Sequence, residues 1–144
     1  MKTNKQRGFT IIELLVVVAI IAVLAAIVLV NVTGYINQGK NAAIKGNLAT
    51  ILTNGSVYFD TNGNYTSYCS DAKLTGPEAA VTAAGGTPSE YCAATAWCAC
   101  STMKTTTAEP AGSTFCVDST GYKKVSANTC AARCVTPATG ACGD

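Results

Sequence analysis

Eight cysteines are the residues of this 144-residue chain best suited to chemistry. Clustered thiolates can hold zinc, but the chain has no Cys-x-x-Cys motif and no histidine. The same absences argue against haem attachment through Cys-x-x-Cys-His. An even number of cysteines outside the apolar segment instead indicates disulfides formed in an oxidising compartment. We therefore predict no metal and no cofactor. The predicted disulfide residues are Cys69, Cys92, Cys98, Cys100, Cys116, Cys130, Cys134 and Cys142.

Spacing leaves the disulfide pairing open, because eight cysteines allow about a hundred connectivities. Cys98 and Cys100 lie two residues apart in a predicted strand, so they share a face and should reach two different partners. Cys130 and Cys134 either pair with each other or each reach a strand. Cys142 is expected to fasten the carboxyl-terminal tail.

Catalysis has little support in the sequence. Without histidine, the Ser/His and Cys/His pairs that activate a nucleophile cannot form within this chain. The carboxylates beyond the apolar tract are scattered, and we interpret them as solvated loop charges rather than as an acid–base pair. These carboxylates are Asp60, Asp71, Glu78, Glu90, Glu109 and Asp118. The chain is therefore not predicted to be an enzyme.

A long apolar tract extends from Phe9 to Val30 and contains one early carboxylate, Glu13. At about 1.5 Å per residue, roughly 20 apolar residues cross the ~30 Å hydrocarbon core of a bilayer. The basic residues before the tract should stay in the cytoplasm, so the rest of the chain faces outward. Because a carboxylate in a membrane helix is costly, Glu13 is a candidate functional residue that needs a cationic partner.

The residues at this junction are Gly8-Phe9-Thr10-Ile11-Ile12-Glu13-Leu14-Leu15, and they resemble the class III signal of type IV pilins and type II secretion pseudopilins. The resemblance implies that a prepilin peptidase cleaves after Gly8 and methylates the new amino-terminal Phe9. It also implies that Glu13 neutralises the terminal amine of a neighbouring subunit during assembly. Cleavage removes three of the ten basic residues and none of the eight acidic ones, which leaves a net charge of −1.

The family resemblance also implies partners and a location. The expected partners are identical subunits in a helical filament, the prepilin peptidase, the pilus or secretion machinery of the inner membrane, and membrane lipid before assembly. The protein is expected in the inner membrane as a single-pass protein and then in an extracellular filament. Its charge does not indicate nucleic-acid binding. Alternatives are a type II secretion pseudopilin and a membrane-tethered, disulfide-rich binding domain that never assembles. A calcium site at Asp118, as in one type of pseudopilin, is a further alternative.

The elements that position these residues follow from periodicity. Apolar side chains recur with helical spacing after the membrane tract, which predicts an amphipathic continuation over residues 31–59 that ends near Asp60–Asn64. The predicted buried stripe is Ile44, Leu48, Ile51 and Leu52, extended by Tyr58 and Phe59.

The remaining sequence predicts a small β domain over residues 60–144. We expect a loop over residues 66–90 with one short element at Glu78–Ala84, a strand at Tyr91–Met103 and a hairpin at Phe115–Val125. Together with a cleaved leader at 1–8 and a membrane helix at 9–30, this describes an α+β protein. Its long amino-terminal helix packs on a disulfide-rich antiparallel sheet, as the pilin resemblance implies.

Three Asn-x-Ser/Thr sequons begin at Asn31, Asn54 and Asn64. The pattern is the acceptor sequence for N-linked glycans, but it is short and frequent.

Overall fold

The computed structural model describes residues 8–135 and 141–143, so the predicted leader lies outside the described residues except for Gly8. The chain divides into two compact units, one up to Tyr35 and one from Ile36 onwards. The helices are α1, Ile11–Asn62, and α2, Ala72–Ala83; the strands are β1, Pro88–Cys92, β2, Trp97–Thr102, β3, Thr114–Asp118, and β4, Lys123–Ser126. Short helical turns lie at Tyr68–Ser70 and Ala131–Val135.

In the first unit, α1 presents apolar side chains on all sides. The helix begins at Ile11, two residues later than predicted, and every described side chain from Phe9 to Leu29 is exposed. Among the described residues, α1 is the one helix long and apolar enough to cross a membrane. An unpaired apolar surface of this length requires lipid or other protein around it.

In the second unit, α1 buries the predicted stripe. Ile44, Leu48 and Ile51 are fully buried, and Tyr58 is buried nearby. The helix ends at Asn62, as predicted, where Gly63 adopts a φ of 70° that suits glycine. The predicted burial was wrong for Phe59: its side chain remains 41% exposed, although its ring centre lies 5.0 Å from that of Tyr65.

The four strands form an antiparallel sheet in the order β1-β2-β3-β4. Successive side chains point to opposite faces of a strand, so β2 places Trp97 and Ala99 on one face and Cys98 and Cys100 on the other. The first face joins the apolar core with α1 and α2, and the second joins a cluster made almost entirely of cysteines. The predicted α+β class, with a long helix packed on a disulfide-rich sheet, is confirmed.

The structure pairs all eight cysteines. Cys98 and Cys100, on the same face, bond to Cys134 and Cys130 respectively, so the local 130–134 alternative is wrong. The remaining pairs are Cys69–Cys92 and Cys116–Cys142. Three of the four disulfides therefore hold the chain after β4 against one face of the sheet.

The region from 66 to 90 is more ordered than predicted. Instead of one short element at Glu78–Ala84, it contains the twelve-residue α2. Although α2 contains Gly76-Pro77, the Asp71 carboxylate caps the helix by accepting from Lys73 N at 2.8 Å, and Leu74 and Val81 are fully buried. Burial of these two side chains outweighs the local cost of the Gly-Pro pair.

Two strand predictions have different outcomes. The single strand predicted at Tyr91–Met103 is two strands, because the chain reverses at Ala93–Ala96, where Ala93 N donates to Ala96 O at 2.8 Å. The predicted hairpin at Phe115–Val125 is confirmed, and those two residues face each other in its register.

Helix α1 approaches the sheet closely at Gly55, which lies against the Trp97 ring. A Cβ atom at residue 55 would lie 2.6 Å from Trp97 Cζ2, closer than real contacts allow. Tyr68, whose hydroxyl donates to Ile51 O at 2.6 Å, packs against the same indole. Burial raises the pKa of the Tyr68 phenol, so the hydroxyl remains a donor at physiological pH.

We therefore expect Gly55→Ala to destabilise the second unit by about 1–3 kcal/mol through overpacking. The matched control is Gly46→Ala on the same helix, because a Cβ there meets nothing within 4 Å and should gain up to about 1 kcal/mol of helix propensity. Urea unfolding of the full chain in detergent, followed by Trp97 fluorescence, measures both. Equal stability of the two variants would contradict the packing explanation.

Candidate functional site

The amino-terminal end of α1 brings the predicted site residues together. Gly8, Phe9 and Thr10 precede the first helical residue, and Phe9 is 81% exposed. Glu13 lies in the first turn of the helix. The predicted cleavage junction and the predicted assembly residue therefore occupy one helix end.

Thr10 and Glu13 form a reciprocal cap at this end. Thr10 N and Thr10 Oγ1 each donate to Glu13 Oε2 at 2.9 Å, and Glu13 N donates to Thr10 Oγ1 at 3.2 Å. This is a capping box, which satisfies backbone donors that have no partner within the helix. A carboxylate is also favoured here by the positive end of the helix dipole.

The capping box leaves part of Glu13 available. Among the described residues, Glu13 Oε1 accepts no hydrogen bond and Glu13 takes part in no ion pair. The sequence-based prediction missed Thr10, although the spacing Thr-x-x-Glu before an apolar run is the known signature of a capping box.

A second polar cluster lies in the second unit, where the loop between β2 and β3 meets α1. Lys45 Nζ lies 2.5 Å from Glu109 Oε1, and Thr106 Oγ1 donates to Glu109 Oε2 at 2.5 Å. The buried Asn41 side chain donates to Lys104 O and accepts from Lys104 N, each at 2.7 Å. The hydrogen bond from Lys45 lowers the pKa of Glu109, with Thr106 adding to the effect. The prediction that Glu109 is a solvated loop charge was therefore wrong.

Asp118 is likewise buried rather than solvated. Its Oδ1 accepts from Thr120 N at 2.8 Å and Thr120 Oγ1 at 2.6 Å, and its Oδ2 accepts from Cys142 N at 2.8 Å. The carboxylate thus shapes the β3–β4 turn and holds the tail. Both oxygens face donors, which weakens the calcium alternative, and the described residues contain no group of three or more His, Cys, Asp or Glu suited to a metal.

Arg133 also holds the chain after β4 in place. The side chain is 1% exposed and donates to Gly143 O at 3.1 Å, Lys124 O at 3.3 Å and Tyr122 Oη at 2.9 Å. The guanidinium also lies 5.6 Å from the centre of the Tyr122 ring. A buried guanidinium needs such partners, so we assign Arg133 to the structure of the tail.

Two carboxyl groups meet where α2 packs on β1, which contradicts the prediction that no carboxylates pair. Glu78 is half-buried, its Oε1 is buried without a hydrogen-bond partner among the described residues, and the Glu90 carboxyl lies close enough to act on its pKa. Two ionised carboxylates have no donor between them, so a hydrogen bond within this pair would require a proton. Burial, then the hydrogen bond and charge of Glu90, raise the pKa of Glu78 to about 8.

Comparison with known proteins identifies the class at the amino terminus. Residues 3–29 match the family model described as the prokaryotic N-terminal methylation motif. The chain is 36% identical over 67 residues to the type IV major pilin protein PilA of Myxococcus xanthus, covering 46% of this chain and 30% of that protein. It is 48% identical over 46 residues to the type IV major alpha-pilin of Moraxella bovis, covering 32% and 29%.

A secretion protein matches as well. The type II secretion system core protein G of Pseudomonas aeruginosa is 37% identical over 67 residues, which cover 46% of this chain and 47% of that protein. No solved structure matches significantly. The amino-terminal part of the chain is therefore similar to type IV pilins and to a type II secretion protein. The chain spans less than half the length of each of these three relatives.

The Glu78–Glu90 pair predicts a pH dependence of stability. Since the pKa of Glu78 is raised from 4.5 to about 8 in the folded chain, the native state binds the extra proton between these values. The free energy of unfolding should therefore fall as the pH rises from about 5 to 8, by less than about 1.4 kcal/mol per pH unit because the group is half-buried, and then level off.

Glu78→Gln should remove this slope, because the amide keeps a donor for Glu90 at every pH. Asp60→Asn, at the exposed end of α1, is the control and should keep the slope. Denaturant unfolding of the full chain at several pH values between 5 and 9 measures the difference. A wild-type stability that is flat or rises over this range would refute the shared proton.

Proposed function

We propose that this chain is a structural subunit of an extracellular type IV pilus filament. A prepilin peptidase cleaves it after Gly8 and methylates Phe9, and the inner membrane holds the mature subunit through residues 9–30. The assembly machinery of the inner membrane then transfers it into a filament in which the apolar parts of α1 pack together. Adhesion, motility or DNA uptake would be the activity of the filament.

The observation that carries this proposal is the exposed apolar surface of α1 up to Leu29, with the carboxylate of Glu13 in its first turn. A simple membrane anchor does not need Glu13, because burying its carboxylate in lipid costs free energy. A subunit that packs against copies of itself can use this carboxylate, because the new amine on Phe9 of a neighbour supplies the missing cation. The pair would also fix the axial register between subunits.

Glycines on the outer side of α1 support packing between helices. Gly39 and Gly46 are exposed, and a Cβ at either position would meet nothing within 4 Å among the described residues. Each costs the helix about 1 kcal/mol relative to alanine. Since no contact with the described residues explains this cost, close approach of another helix in the filament is the explanation that we favour.

The glycine argument gives a test that separates assembly from folding. The double substitution Gly39→Ala and Gly46→Ala should leave the subunit as stable as the wild type or more so, while reducing the number of filaments per cell. Unfolding of the purified chain and electron microscopy of cells measure the two effects. Normal filaments in this variant would count against helix packing at these positions.

A pseudopilin of a type II secretion system is the second candidate. Of the three relatives named above, this chain covers the largest share of core protein G, at 47%. Deletion of the coding gene separates the two roles: loss of surface filaments indicates a pilin, whereas loss of protein secretion with filaments intact indicates a pseudopilin.

Processing distinguishes both candidates from a tethered domain that never assembles. Mass spectrometry of the chain purified from its source should find an amino terminus at methylated Phe9. An intact Met1 would instead indicate the tether.

Glu13→Ala provides the assembly test. Because this variant lacks the carboxylate that pairs with a neighbour's amine, we expect few or no filaments by electron microscopy, with subunit still present in the membrane fraction. Asp60→Ala removes an acidic residue at the other end of α1 and serves as the matched control with normal filaments. Wild-type filament number and length in the Glu13→Ala strain would refute the proposed role.

A further inference from the structure

The three sequons differ sharply in their structural setting, although they are equivalent in sequence. The Asn31 sequon directly follows the apolar segment. The Asn54 sequon lies within α1, and the Asn64 sequon lies in the turn after α1 ends. Only a site whose amide and hydroxyl both reach solvent can be engaged by a transferase in the folded chain.

The Asn54 sequon is unsuited to modification. Asn54 Nδ2 donates to Lys73 O at 2.7 Å, and this bond, although exposed, ties α1 to α2. The next residue, Gly55, is buried against Trp97, so an enzyme cannot engage the backbone there without opening the core.

The Asn64 sequon has the opposite features. Asn64 and Thr66 are exposed, while the intervening Tyr65 is buried and its N–H donates to Ala94 O at 3.0 Å. Thr66 N donates to Asn64 Oδ1 at 3.0 Å, which fixes the amide group in the turn. Asn64 Nδ2 makes an exposed bond to Asn62 O at 3.1 Å, which solvent or an enzyme can replace. The Thr66 hydroxyl forms no hydrogen bond with the described residues and is available for recognition.

We propose that Asn64 is an acceptor for an N-linked oligosaccharide in the folded chain. The donor class is an oligosaccharide linked to a polyisoprenyl diphosphate. Asn64 Nδ2 bonds to the anomeric carbon of the first sugar, the bond from that carbon to the diphosphate oxygen breaks, and polyisoprenyl diphosphate leaves. One amide proton passes to a base of the transferase, and no oxidant or reductant takes part.

The site's access to a glycosylation system rests on the proposed function, which places residue 64 outside the cytoplasm. The acceptor chemistry does not rest on the proposed function, because it depends only on the turn after α1. A transfer reaction with purified chain therefore tests the acceptor site separately from export and assembly.

The full oxidised chain in detergent is incubated with an oligosaccharyltransferase that accepts the minimal Asn-x-Ser/Thr sequon, together with its polyisoprenyl-diphosphate oligosaccharide. Activity of the enzyme is established on an unstructured sequon peptide. Peptide mass spectrometry should find glycan on Asn64 and none on Asn54. In the reduced and unfolded chain, both asparagines should be modified.

Matched variants test the residues of the turn. Thr66→Ala keeps the backbone N–H that bonds to Asn64 but should abolish modification, whereas Thr66→Ser should retain it. Ser56→Ala destroys the Asn54 sequon and should change nothing in the folded chain. The proposal is overturned if the folded chain lacks glycan on Asn64, whatever happens after reduction, or if Asn54 is modified equally.

Discussion

Both faces of the antiparallel sheet must be covered by other parts of the chain, and this requirement determines how the second unit is built. Alternation along β2 and β3 places apolar side chains on one face and cysteines on the other. The first face receives Ile44, Leu48 and Ile51 of α1 and the apolar side of α2. The chain has few further large apolar side chains, so a hydrophobic layer on the second face is not available. Three disulfides hold the irregular tail there instead.

An irregular tail brings backbone polar groups to a buried surface, where each needs a partner. Two buried charged residues meet part of this need. Asp118 accepts from the backbone of Cys142, and Arg133 donates to the carbonyls of Lys124 and Gly143. Charged side chains suit this position because hydrogen bonds to ionised groups are stronger than neutral ones. The disulfides fix where the tail lies, and these side chains satisfy its backbone.

The sequence predicted features that depend on local pattern. Helical spacing identified Ile44, Leu48 and Ile51 as the buried stripe, and the turn residues after Phe59 marked the end of α1. The pattern also predicted that Cys98 and Cys100 have different partners, because that follows from strand geometry alone. The class III signal resemblance is equally local, which explains why the amino terminus could be interpreted without a structure. The capping-box spacing of Thr10 and Glu13 is local too, but the prediction missed it.

Features that depend on distant contacts could not be predicted. Glu109 meets Lys45 across 64 positions of sequence, and Glu78 meets Glu90 only because α2 packs on β1. The Thr-, Ala-, Gly- and Pro-rich composition of residues 66–90 obscured α2, because burial of Leu74 and Val81 was unknown. The exposure of Phe59 was also not predicted, because periodicity identifies the apolar face of a helix but does not show how far the sheet extends along that face.

The geometry of the capping box bears on assembly, because it determines which oxygen of Glu13 stays open to a partner. Both hydrogen bonds that Thr10 donates to Glu13 end on Oε2, so a neighbour's amine can approach Oε1 without opening the cap. On the proposed function, the helix end would then stay capped both in the membrane and in a filament, and pairing would not have to offset the loss of the Thr10 bonds. In lipid, the same two bonds stabilise a carboxylate that would otherwise be unpartnered. On the proposed function, Thr10 therefore lowers the cost of keeping Glu13 in the membrane before a partner arrives, while leaving its charge available for that partner.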